Sequence, residues 1–164
     1  MSAIPERLGP DPVDPAETTL KTLAALLGGR SVLGSDLDTR LDAHELLLRG
    51  LPAAAFDALV DNLVVIDRSA SFYRALGMSL RTHQRHRDSP AKALSPDQSG
   101  PAWKFAEILA RAIRVFGSQA EAEAWLDRPA IGLDQYRPLD LLATPAGVEL
   151  VEDTLSRLEY GVYT

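Results

Sequence analysis

Residues 122–164 read AEAWLDRPAIGLDQYRPLDLLATPAGVELVEDTLSRLEYGVYT, and they carry the signals of a module built from short helices. A helix ending on Trp125 and Leu126 is stopped by Pro129, which cannot continue it. Pro138 and Pro145 each suit a first helical turn, where the amide that proline lacks would have no partner anyway. Thr144 is placed to cap the last helix, and Val148, Val151, Leu155 and Leu158 recur along one stripe of it. Gly161 follows, and the stretch closes on Tyr163 and Thr164. Nothing in it alternates with the period of two that a half-buried strand requires.

The same reading extends upstream. AWKFAEILARAIRVF is the longest clear helix, with Ala102, Phe105, Ala106, Leu109, Ile113 and Phe116 at intervals of three or four and Gly117 closing it. Ser118-x-x-Glu121 has the form of a capping box and opens the Trp125 helix. Nearer the start, TTLKTLAALL runs from Thr18 to a stop at Gly28-Gly29. The next helix, Asp36 to Leu48, sets Leu37, Leu41, His44 and Leu48 near one stripe, so His44 reads as a packed or boundary side chain. Beyond Pro52, a further helix turns Phe56, Leu59, Val60 and Leu63 inward. Asp67 or Ser69 can cap SFYRAL, which ends at Gly77, and Ser79 can cap LRTHQRHRD, which must end before Pro90.

Two stretches do not read as helix. Residues 1–17 hold four prolines and little to bury, which predicts a flexible tail. Residues 88–101 hold three prolines, three serines and a glycine, which predicts a linker or else a tight turn joining two packed halves. The expected fold is therefore all-α, with about nine or ten helices and no internal repeat. Its expected divisions are 1–17, 18–100 and 101–164.

Composition narrows the function classes. Hydrophobic residues make up 46% of 164, enough for a core, which argues against disorder throughout. The absence of cysteine excludes disulfides, thiolate zinc sites and thiol catalysis together. There is no long apolar run and no leader-like start, so a cytoplasmic protein without membrane contact is expected. No glycine-rich phosphate loop follows a strand, and the three histidines lack a nucleophile motif. Neither an enzyme, nor a cofactor, nor a small-molecule substrate is expected.

Four elements of the quoted stretch share an order and a spacing: Ala122–Leu126 (Ala-x-x-Trp-Leu), Pro138–Leu142 (Pro-Leu-Asp-Leu-Leu), Thr144–Gly147 (Thr-x-x-Gly) and Tyr160–Val162 (Tyr-Gly-Val). Together they resemble the C-terminal domain of the Xre/MbcA/ParS antitoxin family, which binds toxins of the RES type. The resemblance covers about a quarter of the chain strongly. It implies an antitoxin that covers the entrance of a toxin active site that consumes NAD, with an upstream helix-turn-helix half that binds operator DNA and controls its own promoter.

The residues support both halves of that implication. Asp67 to Lys92 holds six Arg/Lys against two Asp, a local +4 within a chain of net charge −6. Two short helices meeting at Gly77, the second of them basic, have helix-turn-helix form. On that second helix Arg81, Gln84 and Arg85 can project together toward base edges, while Ser79 opens it and Thr82 and Arg87 can reach phosphates. Half-site reading commonly takes two copies, so a homodimer is expected. Two positions depart from such a motif: Tyr73 stands where a small residue lets the helices cross, and His83 stands where an aliphatic residue turns inward. His83 and His86 lack a third ligand, so no metal is expected.

At the other end, Trp125 and the Val148 stripe are expected to be core. The candidate toxin contacts are the loop at Tyr136-Arg137 and the tail Tyr160, Gly161, Val162, Tyr163 and Thr164. A tyrosine there offers a rigid ring and one hydrogen-bonding tip. Residues 118–164 hold nine Asp/Glu and three Arg, which suits the basic mouth of a site that handles phosphates. Two other readings stay open: a helix-turn-helix regulator without a toxin partner, and a purely protein-binding antitoxin that has lost its operator.

Overall fold

The computed structural model describes residues 13–161. Ten α-helices and one 3₁₀ turn succeed one another: α1 (Pro15–Leu26), α2 (Arg30–Leu33), α3 (Arg40–Arg49), α4 (Ala53–Asn62), α5 (Ala70–Ala75), α6 (Leu80–Arg87), α7 (Pro96–Phe116), α8 (Gln119–Leu126), the 3₁₀ turn Ile131–Leu133, α9 (Pro138–Leu141) and α10 (Pro145–Glu159). There is no strand among the described residues, so the fold is all-α as expected.

Side-chain caps set most of the helix starts. Ser69, Ser79, Ser95, Ser118 and Thr144 each accept the amide three residues on, satisfying one of the donors a helix start leaves free. The first helix begins at Pro15, with Asp14 capping the Ala16 amide. The last residues of the expected tail are thus helical, and residues 1–12 lie outside the described residues.

α7 is the axis of the molecule, packed against α1, α3, α5, α8 and α10. Its buried alanines, Ala102, Ala106, Ala110 and Ala112, let neighbours approach closely, while Phe105, Ile108 and Leu109 fill the spaces between them. The helix starts earlier than its apolar spacing suggests. Ser95 and Gln98 form a reciprocal capping box, and Pro96 occupies the first turn. The expected boundary at 100/101 therefore falls inside a helix. What remains of the expected linker, residues 88–95, is the tight packed turn: Leu94 is buried, its amide bonds the Leu51 carbonyl at 2.7 Å, and the Ala53 and Ala54 amides bond the carbonyls of Lys92 and Pro90.

α3 corrects a second expectation. Leu37 is buried, but Leu41 and Leu48 are 64% and 69% exposed and His44 faces solvent; the inward residues are Ala43 and Leu46. Three consecutive leucines, 46 to 48, leave the phase of the helix open in sequence. The small Ala43 then lets α3 settle on α7 through Leu46.

The two ends of the chain are tied by one carboxylate. Glu123 on α8 is fully buried, and its oxygens accept the amides of Val64, Val65 and Ile66 at 2.9–3.0 Å and the Gln119 side-chain amide at 2.8 Å. Gln119 also donates to the Asn62 carbonyl, and Asn62 donates to the Leu26 carbonyl, so the tie runs from α8 through the end of α4 to the end of α1. Arg114 on α7 makes a second tie, donating to Glu159 of α10 and to the Pro15 carbonyl of α1.

Replacing Glu123 by Gln turns one acceptor into a donor that faces three backbone donors. Hydrogen bonds to a charged acceptor carry roughly 1.5–3 kcal/mol. Glu123→Gln should therefore lower the urea-unfolding free energy by about 2 kcal/mol, with the melting temperature down by roughly 4–8 °C. An unchanged midpoint would show that the charge contributes nothing to the tie.

Candidate functional site

The α5–α6 pair is assembled around a turn that only glycine accommodates easily. Gly77 has φ +66°, and a Cβ there would lie 2.9 Å from the Pro101 ring of α7. Phe72, Leu76 and Met78 anchor the pair in the core. α6 itself buries a single side chain, His83, which is 2% exposed. Its Nε2 lies 2.5 Å from Asp57 Oδ1 on α4, its Nδ1 lies 3.0 Å from the Tyr73 hydroxyl, and its ring meets the edge of Phe56. An ionised Asp57 can only accept, which assigns the proton to Nε2 and leaves Nδ1 to accept from Tyr73. Burial pushes the Tyr73 hydroxyl up from its ordinary pKa, so it stays a donor. The two departures from the motif, Tyr73 and His83, are thus partners of each other.

The same region sorts the basic residues. Arg87 lies 3.3 Å from Asp57 and 3.6 Å from Asp61, and Arg68 bonds the Val60 carbonyl and pairs with Asp61. These two arginines are engaged by α4. Thr82 is half-buried and accepts from the Ser79 hydroxyl at 2.9 Å, while Ser79 caps the helix. Arg81, Gln84 and Arg85 stand exposed along α6, in the arrangement their spacing predicts. Asp57 and Asp61 escape a reading by spacing; the signal that points to them is a polar His83 at an inward position, which must find a partner. Both ring nitrogens of His83 are occupied, and no group of three metal-ligating side chains occurs among the described residues.

In the C-terminal part, the shared motifs mostly hold turns together. Trp125 stacks against Phe116 at 5.3 Å, and Leu126, Pro138 and Leu139 are buried. Thr144 accepts the Gly147 amide at 3.0 Å, and a Cβ on Gly147 would fall on the Leu141 carbonyl oxygen, so α10 can cross α9 only with glycine there. Arg137 makes two hydrogen bonds to Asp140, at 2.8 and 2.9 Å, and one to Asp127 at 3.0 Å. Its hydrogen bonds hold the Asp140 carboxyl below its ordinary pKa. Arg137 thus fastens α8 to α9.

Tyr136, beside it, is 60% exposed on the loop before α9. Tyr160, at the end of α10, is 80% exposed and followed by an exposed Gly161 at φ +69°. Val162, Tyr163 and Thr164 lie outside the described residues. Tyr160 stands at the rim of a cavity of about 890 Å³ between α1, α3, α7 and α10, whose walls carry Lys104, Arg111, Arg114, Glu152 and Glu159. Burial alone would lower the pKa of Lys104, but hydrogen bonds to Glu107 and Glu152 outweigh it and hold the ammonium above its ordinary value. Tyr136 does not line this cavity, so the two tyrosines present separate surfaces.

Comparison with known proteins points the same way. The family model described as the antitoxin Xre/MbcA/ParS C-terminal toxin-binding domain matches residues 111–161, from the last turns of α7 to just past the end of α10. An Antitoxin Xre of Yersinia enterocolitica (serotype O:8, biotype 1B) is 31% identical over 130 residues, covering 70% of this chain and 87% of the relative. An Antitoxin Xre of Photorhabdus laumondii is 26% identical over 120 residues, covering 73% and 79%. One of Pseudomonas putida is 33% identical over 75 residues, covering 46% and 45%. No helix among the described residues is long and apolar enough to cross a membrane. With a relative 31% identical over 70% of this chain and 87% of its own length, the chain belongs to the Xre family of antitoxins and is the antitoxin member of a toxin–antitoxin pair.

Proposed function

We propose that this antitoxin neutralises a RES-type, NAD-degrading toxin by laying the residues that follow α10, Tyr160 to Thr164, over the mouth of the toxin's active site, and that it represses its own promoter through α6. The observation that carries the first part is Tyr160, a largely exposed aromatic ring at the end of a segment whose family is described as toxin-binding. Arg114 and Glu159 fix the last turn of α10, so the tail starts from a rigid base. The net −6 of residues 118–164 supports the pairing, because a site that handles NAD phosphates is basic at its entrance. On this reading the chain is a binding protein of the cytoplasm and not an enzyme.

The second part is supported by the exposed Arg81, Gln84 and Arg85, whose side chains match guanine and adenine edges. Reading of two half-sites calls for two copies. The outer face of α3 suits that contact. In an antiparallel pairing, Leu41 of one copy faces Leu48 of the other, and His44 faces Glu45, so the stripe is complementary to itself. Both leucines are more than 60% exposed in the single chain.

NAD consumption by the toxin encoded beside this gene should stop with the intact chain and persist with a chain that ends at Glu159 and still binds. Equal inhibition by both would place the plug elsewhere. In a gel shift on the promoter, Arg81→Ala with Arg85→Ala should weaken binding by roughly 100-fold or more, since each bidentate base contact carries about 1–3 kcal/mol; an unaltered shift would remove these side chains from the interface. Leu41→Glu with Leu48→Glu should give a folded monomer in sedimentation velocity, whereas a dimer that survives both changes would move the contact off α3.

A further inference from the structure

The loop that leads from α8 to α9 is built at a cost. Asp134 and Gln135 both take left-handed backbone conformations, φ 51° and 67°, without being glycine. Each such residue is disfavoured, and pairs of them persist only where surrounding bonds enforce them. Here the bonds are a closed set: the Leu133 and Gln135 amides to the Ala130 carbonyl, the Tyr136 amide to the Leu133 carbonyl, and the Ala130 amide to the Tyr136 carbonyl, all at 2.9–3.1 Å. Leu133 plugs the loop into the core. The consequence is the position of Ile131, which is 88% exposed, the highest value among the exposed large hydrophobic side chains of the described residues.

A single exposed apolar residue is ordinary. Ile131 is not isolated, however. A Cβ on its neighbour Gly132 would lie 3.9 Å from Thr154 of α10, so the loop rests on α10 at that level. One turn earlier on the same side, Leu150 is 52% exposed, and Thr154 donates its hydroxyl to the Leu150 carbonyl at 2.9 Å while its methyl group faces the loop at Gly132. Close to Ile131 and Thr154 in the chain stand Asp134 and Asp153. Both are exposed, and neither takes part in a salt bridge among the described residues. Asp127, Asp140, Glu152 and Glu159 each have a basic partner.

We propose that Ile131 and Leu150, flanked by Asp134 and Asp153, form a second anchor for the toxin, which meets it with an apolar socket rimmed by Lys or Arg. Rigid apolar anchors at the centre of a contact carry most of its affinity, and unpaired charges at the rim set its orientation and salt dependence. The inference rests on the toxin-binding part of the proposed function and is independent of the tail. It divides the work of the domain: the anchor holds the partner, and the tail occupies its active site.

The test is titration calorimetry of the full-length chain with the purified toxin encoded beside its gene, at two salt concentrations. Ile131→Asp should raise Kd by 100-fold or more, Leu150→Asp by about tenfold or more, and Ile131→Leu by less than threefold. Thermal melting should be unchanged in all three, because the side chains are exposed. Raising the salt should weaken the wild-type complex, and less so the double variant Asp134→Asn, Asp153→Asn. If the wild type binds and Ile131→Asp binds equally well, the anchor is overturned while the tail reading stands. If Ile131→Asp loses binding while the chain ending at Glu159 still inhibits, the anchor stands and the tail reading falls. If the wild type does not bind this toxin, both fall together.

Discussion

The Glu123 carboxylate is the constraint on which the rest of the molecule depends. Burying a charge in a helical protein is unfavourable unless every lone pair is answered. Here three successive backbone amides answer it, from a bend that would otherwise leave those same amides without partners. Each side removes the other's penalty. The cross-link spans 57 to 59 residues of sequence and fixes where α8 lies relative to α1 and α4. The α10 ties through Arg111 and Arg114 then have a fixed frame to reach across.

α6 shows a second use of buried polarity. Helices usually dock through aliphatic side chains, and α6 docks through one histidine held on both nitrogens. An apolar contact of similar size would tolerate a shift in helix pitch, whereas two directional bonds do not. Asp57 holds His83 and also engages Arg87, so the group that sets the pitch of α6 also draws one arginine away from its outer face. Arg81, Gln84 and Arg85 are left as the exposed polar reach of the helix.

Much of this was legible in the residues. Serine and threonine caps located the starts of α5, α6, α8 and α10, and the spacing of apolar residues named Ala102, Phe105, Ala106 and Leu109 of the buried side of α7 and Val151 and Leu155 of α10. Local chemistry sets those features, so a local reading finds them. What escaped was set by distance or by ambiguity. Gly100 and Pro101 resemble helix breakers, yet a capping box five residues upstream carries the helix through them. Leu46, Leu47 and Leu48 permit more than one phase for α3, and the phase taken buries Ala43 and Leu46. Glu123 sits in an alternation of Ala and Glu that reads as a solvated face, because its partners are amides of a distant bend. Arg87 reads as a phosphate contact because Asp57 and Asp61, which engage it, lie on another helix.

The continuity of α7 bears on what counts as a part of this molecule. The segment shared with the family begins at Arg111, two-thirds of the way along the helix. A fragment cut there would leave behind Phe105, Ile108 and Leu109, on which the neighbouring helices close. The span that the family model matches is therefore shorter than the span on which its own core depends. The helix belongs to both ends of the chain, and a boundary drawn within it divides one packed core.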